Sequence, residues 1–277
     1  MGDGLDVAVV GALNVSPESF YSGSVVVDAD RLLRAAEAMA LAGAAWLDVG
    51  AMSTAPYLEA RIPAAQEADR LHWAVGLLAT KLDLPVSADT SRALSARAAL
   101  EAGARMLNDV TGLHGDPALG RLAAEAGAAL VLMAAPAAAP GPGNPIATVR
   151  ACLEQSLALA RAAGIAEDRI LVDPGIGFFR GGAVAWPDWD CRVLAGLPGL
   201  RALGRPLHVG VSRKSFIGAV AGVADPAGRL PGTLAATAAA VLGGAHVIRA
   251  HDVAETIQAV RIAQAISSAR AGGAERG

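Results

Sequence analysis

The chain has 277 residues, 53% of them hydrophobic and 18% charged, with a formal net charge of -3. That supplies enough apolar material for one large core, and the dispersed basic residues exclude the electrostatic footprint that nucleic acid requires. Two cysteines, Cys152 and Cys191, stand far apart in no spacing that suits a disulfide framework or a zinc site. The first residues, MGDGLD, are acidic and lack the basic and apolar regions of a secretory leader, so a cytoplasmic protein is expected. Gly, Arg, Asp or Pro interrupts every long apolar run before it could span a bilayer, and no membrane segment is expected.

In chain order, short β-like runs alternate with longer Ala/Leu-rich stretches of helical period. Strands are predicted at residues 7–13, 46–49, 85–88, 106–108, 130–133, 170–172, 207–211 and 247–250. Helices are predicted between them, among others at 29–42, 64–82, 92–102, 116–126, 146–163 and 233–243. Gly43, Gly103, Gly127 and Gly164 stand where helices should end. Residues 134–145, AAPAAAPGPGNP, have the composition of a linker, but the alternation resumes directly after them, so they read as a long loop following the fifth strand. Residues 179–190, with Arg180, Trp186 and Trp189, read as an irregular insert, either a surface loop anchored by its tryptophans or a wall for an aromatic substrate. The polar, glycine-rich tail at about residues 268–277 is expected to fray.

Regular strand-helix alternation with near-continuous apolar strands predicts a parallel sheet covered on both faces. Eight such units predict a single-domain α/β fold over residues 1–277, the (β/α)8 TIM barrel. An open doubly wound sheet is the alternative. The barrel is favoured because polar residues recur at nearly every strand's carboxyl end instead of around one switch point: Asn14, Asp48, Asp89, Asn108, Asp173, Ser212 with Arg213 and Lys214, and Arg249 with His251. The run VDPGIGFF, 172–179, reads as a buried strand stopped by Asp-Pro-Gly, with Asp173 presented at its end. The run HVGVSRKSFIG, 208–218, repeats that design with a cationic tip.

Asp89, Asn108, Asp173 and Lys214 would converge on the catalytic face of such a barrel. Carboxylates accept from an exocyclic amine and a ring N–H, while Asn and Lys serve ring nitrogens and a carbonyl, so the set suits a flat heterocycle such as a pterin or purine. Taken singly, Asp89 could equally cap the helix that follows, and Lys214 could be a solvated loop lysine. Asn14, Arg249 and His251 form a second group on neighbouring strands, where a diphosphate could sit and the Asn oxygen could ligate Mg²⁺. The alternative there is that Arg249 and His251 pair with Asp252 or Glu255 at the opening of a helix.

The strings ALNVSPESF, LDVGAMSTAP, SADTSRALSARAALEAGARMLNDVTG, LVDPGIGF, GVSRKSFIG, PGTLAAT and RAHDV, in this order and over nearly the whole chain, resemble the dihydropteroate synthase family. The resemblance implies a (β/α)8 barrel that joins a hydroxymethyl-dihydropterin diphosphate to an aromatic amine with release of pyrophosphate, a transferase using Mg²⁺ and working as a homodimer on small molecules. It implies that Asp89, Asn108, Asp173 and Lys214 hold the pterin, with Met133, Phe178 and Gly210 lining the slot. It places Asn14, Arg249 and His251 at the metal and diphosphate, Thr54 at a loop contact, and Ser212 and Arg213 beside the amine's channel.

The sequence departs from the family pattern in its loops. The second loop reads Met52, Ser53, Thr54, Ala55, Pro56, Tyr57, without the usual arginine; the first has Glu18 and Tyr21, and Ala134 stands where His is usual. NVSPESFY and DVGAMSTAPY look most like the tetrahydromethanopterin branch, in which the amine carries a ribofuranosyl phosphate. The expectation is therefore the ribosylated amine, with Arg61, Arg180 or Arg213 meeting its phosphate. The alternatives are an ordinary folate-pathway synthase using para-aminobenzoate, and a non-catalytic paralogue or methyl-pterin:corrinoid methyltransferase-like barrel.

Overall fold

The computed structural model describes residues 5–16, 28–52, 62–138 and 143–274. Eight parallel strands, β1 (Ala8–Asn14), β2 (Trp46–Gly50), β3 (Val86–Asp89), β4 (Met106–Asp109), β5 (Ala129–Met133), β6 (Ile170–Asp173), β7 (His208–Gly210) and β8 (Val247–Ala250), form one sheet in the order β6-β5-β4-β3-β2-β1-β8-β7. An isolated bridge between Val172 and Leu207, with the Val172 N–H donating to the Pro206 carbonyl at 3.0 Å, joins the two ends. The predicted TIM barrel is the fold, and the open sheet is excluded.

The helices are α1 (Ala29–Ala42), α2 (Ala64–Lys81), α3 (Ala93–Glu101), α4 (Pro117–Glu125), α5 (Pro145–Ala162), α6 (Trp186–Ala195), α7 (Ser215–Ala221), α8 (Leu230–Leu242) and α9 (Val253–Ala274). Local chemistry explains their limits. Asp28, Asp116 and Asn144 accept backbone N–H groups at the starts of α1, α4 and α5, and Pro occupies the first turn of α4 and α5, where its missing N–H costs nothing. Among the described residues, no helix is long and apolar enough to cross a membrane.

Strand alternation divides the core in two. Val9, Leu13, Leu47, Val49, Val86, Ala88, Leu107, Leu130, Leu132, Val172, Val209 and Ile248 face outward into the cluster shared with the helices. The intervening residues face the barrel axis, and at its amino-terminal end these are apolar: Val10, Trp46, Val131, Leu171 and Val247 form their own cluster. Toward the carboxyl end the same inward positions turn polar. Registers set them side by side: Asn14 opposite Gly50, Gly50 opposite Asp89, Asp89 opposite Asn108, Met133 opposite Asp173, and Gly210 opposite Arg249.

One sequence expectation is corrected. The irregular insert ends at residue 185, because α6 begins at Trp186 with Pro187 in its first turn; Trp189 is buried and stacks on Phe179 with ring centroids 5.0 Å apart. A short helix opened by proline has too few turns to show its period, and it read as loop. At the glycine-rich end, α9 continues as helix to Ala274.

Candidate active site

The inward-facing polar residues gather around Arg249 on β8. Its Nε donates to Asp48 Oδ2 at 2.6 Å and its Nη2 to Asp89 Oδ2 at 3.1 Å. Asp48 is almost fully buried and also accepts from Ser87 Oγ and, at 3.0 Å, from Asn108 Nδ2. Burial would raise the Asp48 carboxyl, but the Arg249 guanidinium and the hydrogen bonds from Ser87 and Asn108 hold it below the ordinary carboxylate value. Among the described residues, Asp89 receives only the guanidinium's second arm. Burial lifts it to about 7, partly countered by Arg249 and reinforced by Asp48, Glu67 and Asp109. The deeper carboxylate therefore keeps the negative charge, while the one at the rim exchanges a proton near neutrality.

Asp89 Oδ1 is buried with no hydrogen-bond partner among the described residues, so the rim offers an oxygen with capacity left. Beside it lies Gly50, whose missing side chain matters. A Cβ there would stand 3.2 Å from Asn14 Oδ1 and 3.6 Å from Asp89 Oδ2, and glycine leaves these two oxygen donors facing the same space.

The second group lies across the β6/β7 junction. Asp173 Oδ1 accepts the Gly175 N–H at 2.7 Å, and its Oδ2 lies 2.8 Å from His208 Nδ1. Burial opposes ionisation of Asp173, but His208, Lys214 and the Gly175 N–H outweigh it and keep the carboxyl below its ordinary value. Lys214 donates to the Ile176 carbonyl, and its ammonium lies 5.2 Å from the Phe178 ring centroid. Burial pulls the lysine pKa down, against Asp173 and Asp190, which push it up. Met133 is buried beside this group, and a Cβ on Gly210 would stand 3.8 Å from both Lys214 Nζ and Arg249 Cβ. The result is one barrel end with an acceptor carboxylate, a cation and an aromatic ring on one side, and a guanidinium with carboxylate and amide oxygens on the other, and we refer to it as the slot. It can receive a flat heterocycle with donor N–H groups on one side and an anion on the other.

The family description "Pterin binding enzyme" matches residues 10–251. The chain is 40% identical over 268 residues to the dihydropteroate synthase of Mycobacterium leprae, covering 92% of this chain and 92% of that protein. The chain belongs to the pterin-binding enzyme family. A dihydropteroate synthase from Coxiella burnetii, solved in complex with pteroic acid, superposes with a TM-score of 0.85 at 35% identity, covering 95% of this chain and 94% of that one. The Xanthomonas albilineans enzyme, solved with 4-aminobenzoic acid, superposes with a TM-score of 0.84 at 36% identity, covering 94% of this chain and 93% of that one. This pterin-binding enzyme is a transferase of the dihydropteroate synthase type.

The remaining sequence candidates occupy different settings. Ser212 Oγ lies 2.9 Å from His251 Nδ1, placing both beside Arg249. Burial, then the adjacent Arg249 charge, pushes His251 down to about 3, so its imidazole is neutral at physiological pH and adds no charge to the anion end. Arg213 is not disposed toward the slot. Its Nε and Nη2 grip Asp252 at 2.9 and 2.7 Å, and its Nη1 donates to the Pro226 and Ala227 carbonyls at 2.9 and 2.7 Å. Thr54, Glu18, Tyr21, Ala55 and Arg61 lie outside the described residues.

Three side chains at the site are not singled out as site residues by the sequence: Asp48, His208 and Asp190. Asp48 was seen as a polar strand residue but lies deeper than the rim. Asp190 is buried in α6 and accepts the Gly177 N–H at 2.8 Å, bracing the turn that carries Phe178. Arg180 lies with its guanidinium carbon 4.2 Å from the Trp186 ring centroid and donates to Ser215 Oγ at 2.5 Å. The available signal was the polar residue interrupting an apolar run at an inward strand position.

Proposed function

We propose that this protein condenses hydroxymethyl-dihydropterin diphosphate with para-aminobenzoate, releasing pyrophosphate and forming dihydropteroate. The observation that carries the reading is the division of one slot between the Asp173–Lys214 end and the Arg249 end, in a chain that matches dihydropteroate synthases along nearly its whole length. Asp173 accepts from the ring N–H and exocyclic amine, Asn108 serves ring nitrogens, and Lys214 donates to the ring carbonyl. Met133, Phe178 and Gly210 line the faces of the ring.

The pterin methylene C–O bond breaks with its electron pair leaving on the diphosphate; the amine lone pair then forms the C–N bond, and the amine proton is lost afterwards. Asp173 stabilises positive charge developing on the pterin side, while Arg249 meets negative charge on the leaving group. His251, being neutral, orients a phosphate oxygen without adding charge. Asn14 Oδ1, which faces the space left by Gly50 together with Asp89 Oδ2, is the kind of hard oxygen that would suit a divalent cation such as Mg²⁺. Among the described residues no group of three or more His, Cys, Asp or Glu holds a metal alone. Mg²⁺ bound at Asn14 would supply further charge neutralisation at the departing diphosphate.

The amine is proposed as para-aminobenzoate in preference to the ribosylated amine expected from the second loop, because the matching relatives carry the dihydropteroate synthase name. A ribosyl phosphate would also have to compete for Arg213 with Asp252 and two carbonyls, which supports the same choice. Competition between the two amines for limiting pterin diphosphate, scored by product mass, tests this choice. Dihydropteroate should dominate; a predominantly ribosylated product would reverse the assignment.

A further inference from the structure

The slot lies at the weakest point of the barrel. Every other pair of neighbouring strands is joined by a ladder, whereas β6 and β7 meet at one bridge, Val172 to Leu207. One residue further on, Asp173 still belongs to the β5 side: its carbonyl accepts the Ala134 N–H at 2.8 Å. Toward β7 the contact at this level is made by side chains, Asp173 Oδ2 to His208 Nδ1 at 2.8 Å. His208 opens β7 opposite Val247 of the inner apolar cluster, and only 2% of it is exposed. A leucine would fill such a position without leaving a buried donor or acceptor, so the imidazole invites a role beyond packing.

We propose that His208 is a positioning residue for the Asp173 carboxylate, spanning the β6/β7 seam so that both carboxylate oxygens stay aimed at the pterin edge. The inference rests on the pterin reading of Asp173 given above. With the Gly175 N–H on Oδ1 and His208 on Oδ2, the two partners fix the plane of the carboxylate, and each oxygen keeps a further lone pair for the ligand. An ionised carboxylate can only accept, so in this pair Nδ1 carries the proton and is the donor. Without that donor the carboxylate can turn into the seam, and an ionised group loses one of the bonds that support its charge.

The test measures calorimetric binding of hydroxymethylpterin and the KM of each substrate for the unmodified protein, His208→Leu and His208→Asn, with thermal unfolding of each. Loss of a hydrogen bond to a charged group predicts that His208→Leu weakens pterin binding about tenfold or more. The KM for the pterin substrate should rise with it, while that for the arylamine stays within about twofold, on the same hydrogen-bond argument. Asn carries an amide N–H near the place of Nδ1 and should restore binding to within about threefold, as a retained donor predicts. A folded His208→Leu protein with unchanged pterin affinity overturns the proposal. So does a folded His208→Asn protein that fails to bind pterin within about threefold of the unmodified protein, which decides the matter if the leucine variant does not fold. Failure of the unmodified protein to bind pterin overturns the pterin reading itself and the inference with it, and is distinguished because it precedes any substitution.

Discussion

Asp173 and His251 show how one barrel end gives neighbouring groups opposite tasks. Asp173 is ionised and accepts; its isosteric amide would present a donor where the pterin presents donors too. Asp173→Asn should therefore keep the fold and reduce pterin affinity by about 100-fold or more, since a charged hydrogen-bonded acceptor is replaced by a mismatched one. Calorimetry with hydroxymethylpterin checks this, and near-normal affinity would remove Asp173 from the site. His251 makes a statement about stability instead. Its folded value of about 3 lies below the ordinary 6.5, so the unfolded chain takes up the proton first and stability is lost as pH falls from about 6.5 toward 3. Asp89, raised to about 7, acts in the opposite sense: its contribution is present at low pH and lost as pH rises through 7. The His251→Asn variant should remove the first slope and keep the second. Urea unfolding between pH 4.5 and 7 reads the difference, and identical slopes in the two proteins would contradict a buried neutral imidazole.

At the scale of elements, the tip between β7 and α7 is held by a buried ion pair. Arg213 takes a left-handed conformation with φ of 54°, a strained choice for a non-glycine residue. The conformation is fixed from all sides: its N–H donates to Thr233 Oγ1 at 2.9 Å, its carbonyl accepts from Arg229 at 3.1 Å, and its guanidinium forks onto Asp252. Arg213→Ala should destabilise the protein by about 3–5 kcal/mol, the usual cost of leaving one partner of a buried pair alone. Chemical unfolding measures it. A variant of unchanged stability with a raised arylamine KM would instead return Arg213 to the amine's channel. The strand ends were legible in the sequence because an apolar run that stops at Asp or Asn has few other meanings. The pairings were not legible: Arg249 meets Asp48 and Asp89 across most of the chain, and His208 meets Asp173 only because the barrel closes between β6 and β7. The string SRK puts three polar residues at one tip, but strand geometry sends Lys214 to the Ile176 carbonyl and Arg213 to Asp252, a split that residue type does not encode.

For the whole molecule, barrel closure turns eight modest strand ends into one chemical surface. The amino-terminal half of the axis is filled by Val10, Trp46, Val131, Leu171 and Val247, which makes it a floor and not a pore. Polar groups above that floor are shielded from water, so Asp48 remains charged against Arg249, Ser87 and Asn108, and Arg249 of β8 is held at the rim by carboxylates from β2 and β3. The central claim is that this surface joins a pterin to an arylamine at the expense of a diphosphate. It is tested most directly by mixing the protein with hydroxymethyl-dihydropterin diphosphate, para-aminobenzoate and Mg²⁺, then measuring pyrophosphate and product mass together. The account predicts pyrophosphate released mole for mole with dihydropteroate, and neither when the amine is omitted. Pyrophosphate without the condensed product, or no reaction while both substrates bind, would contradict it.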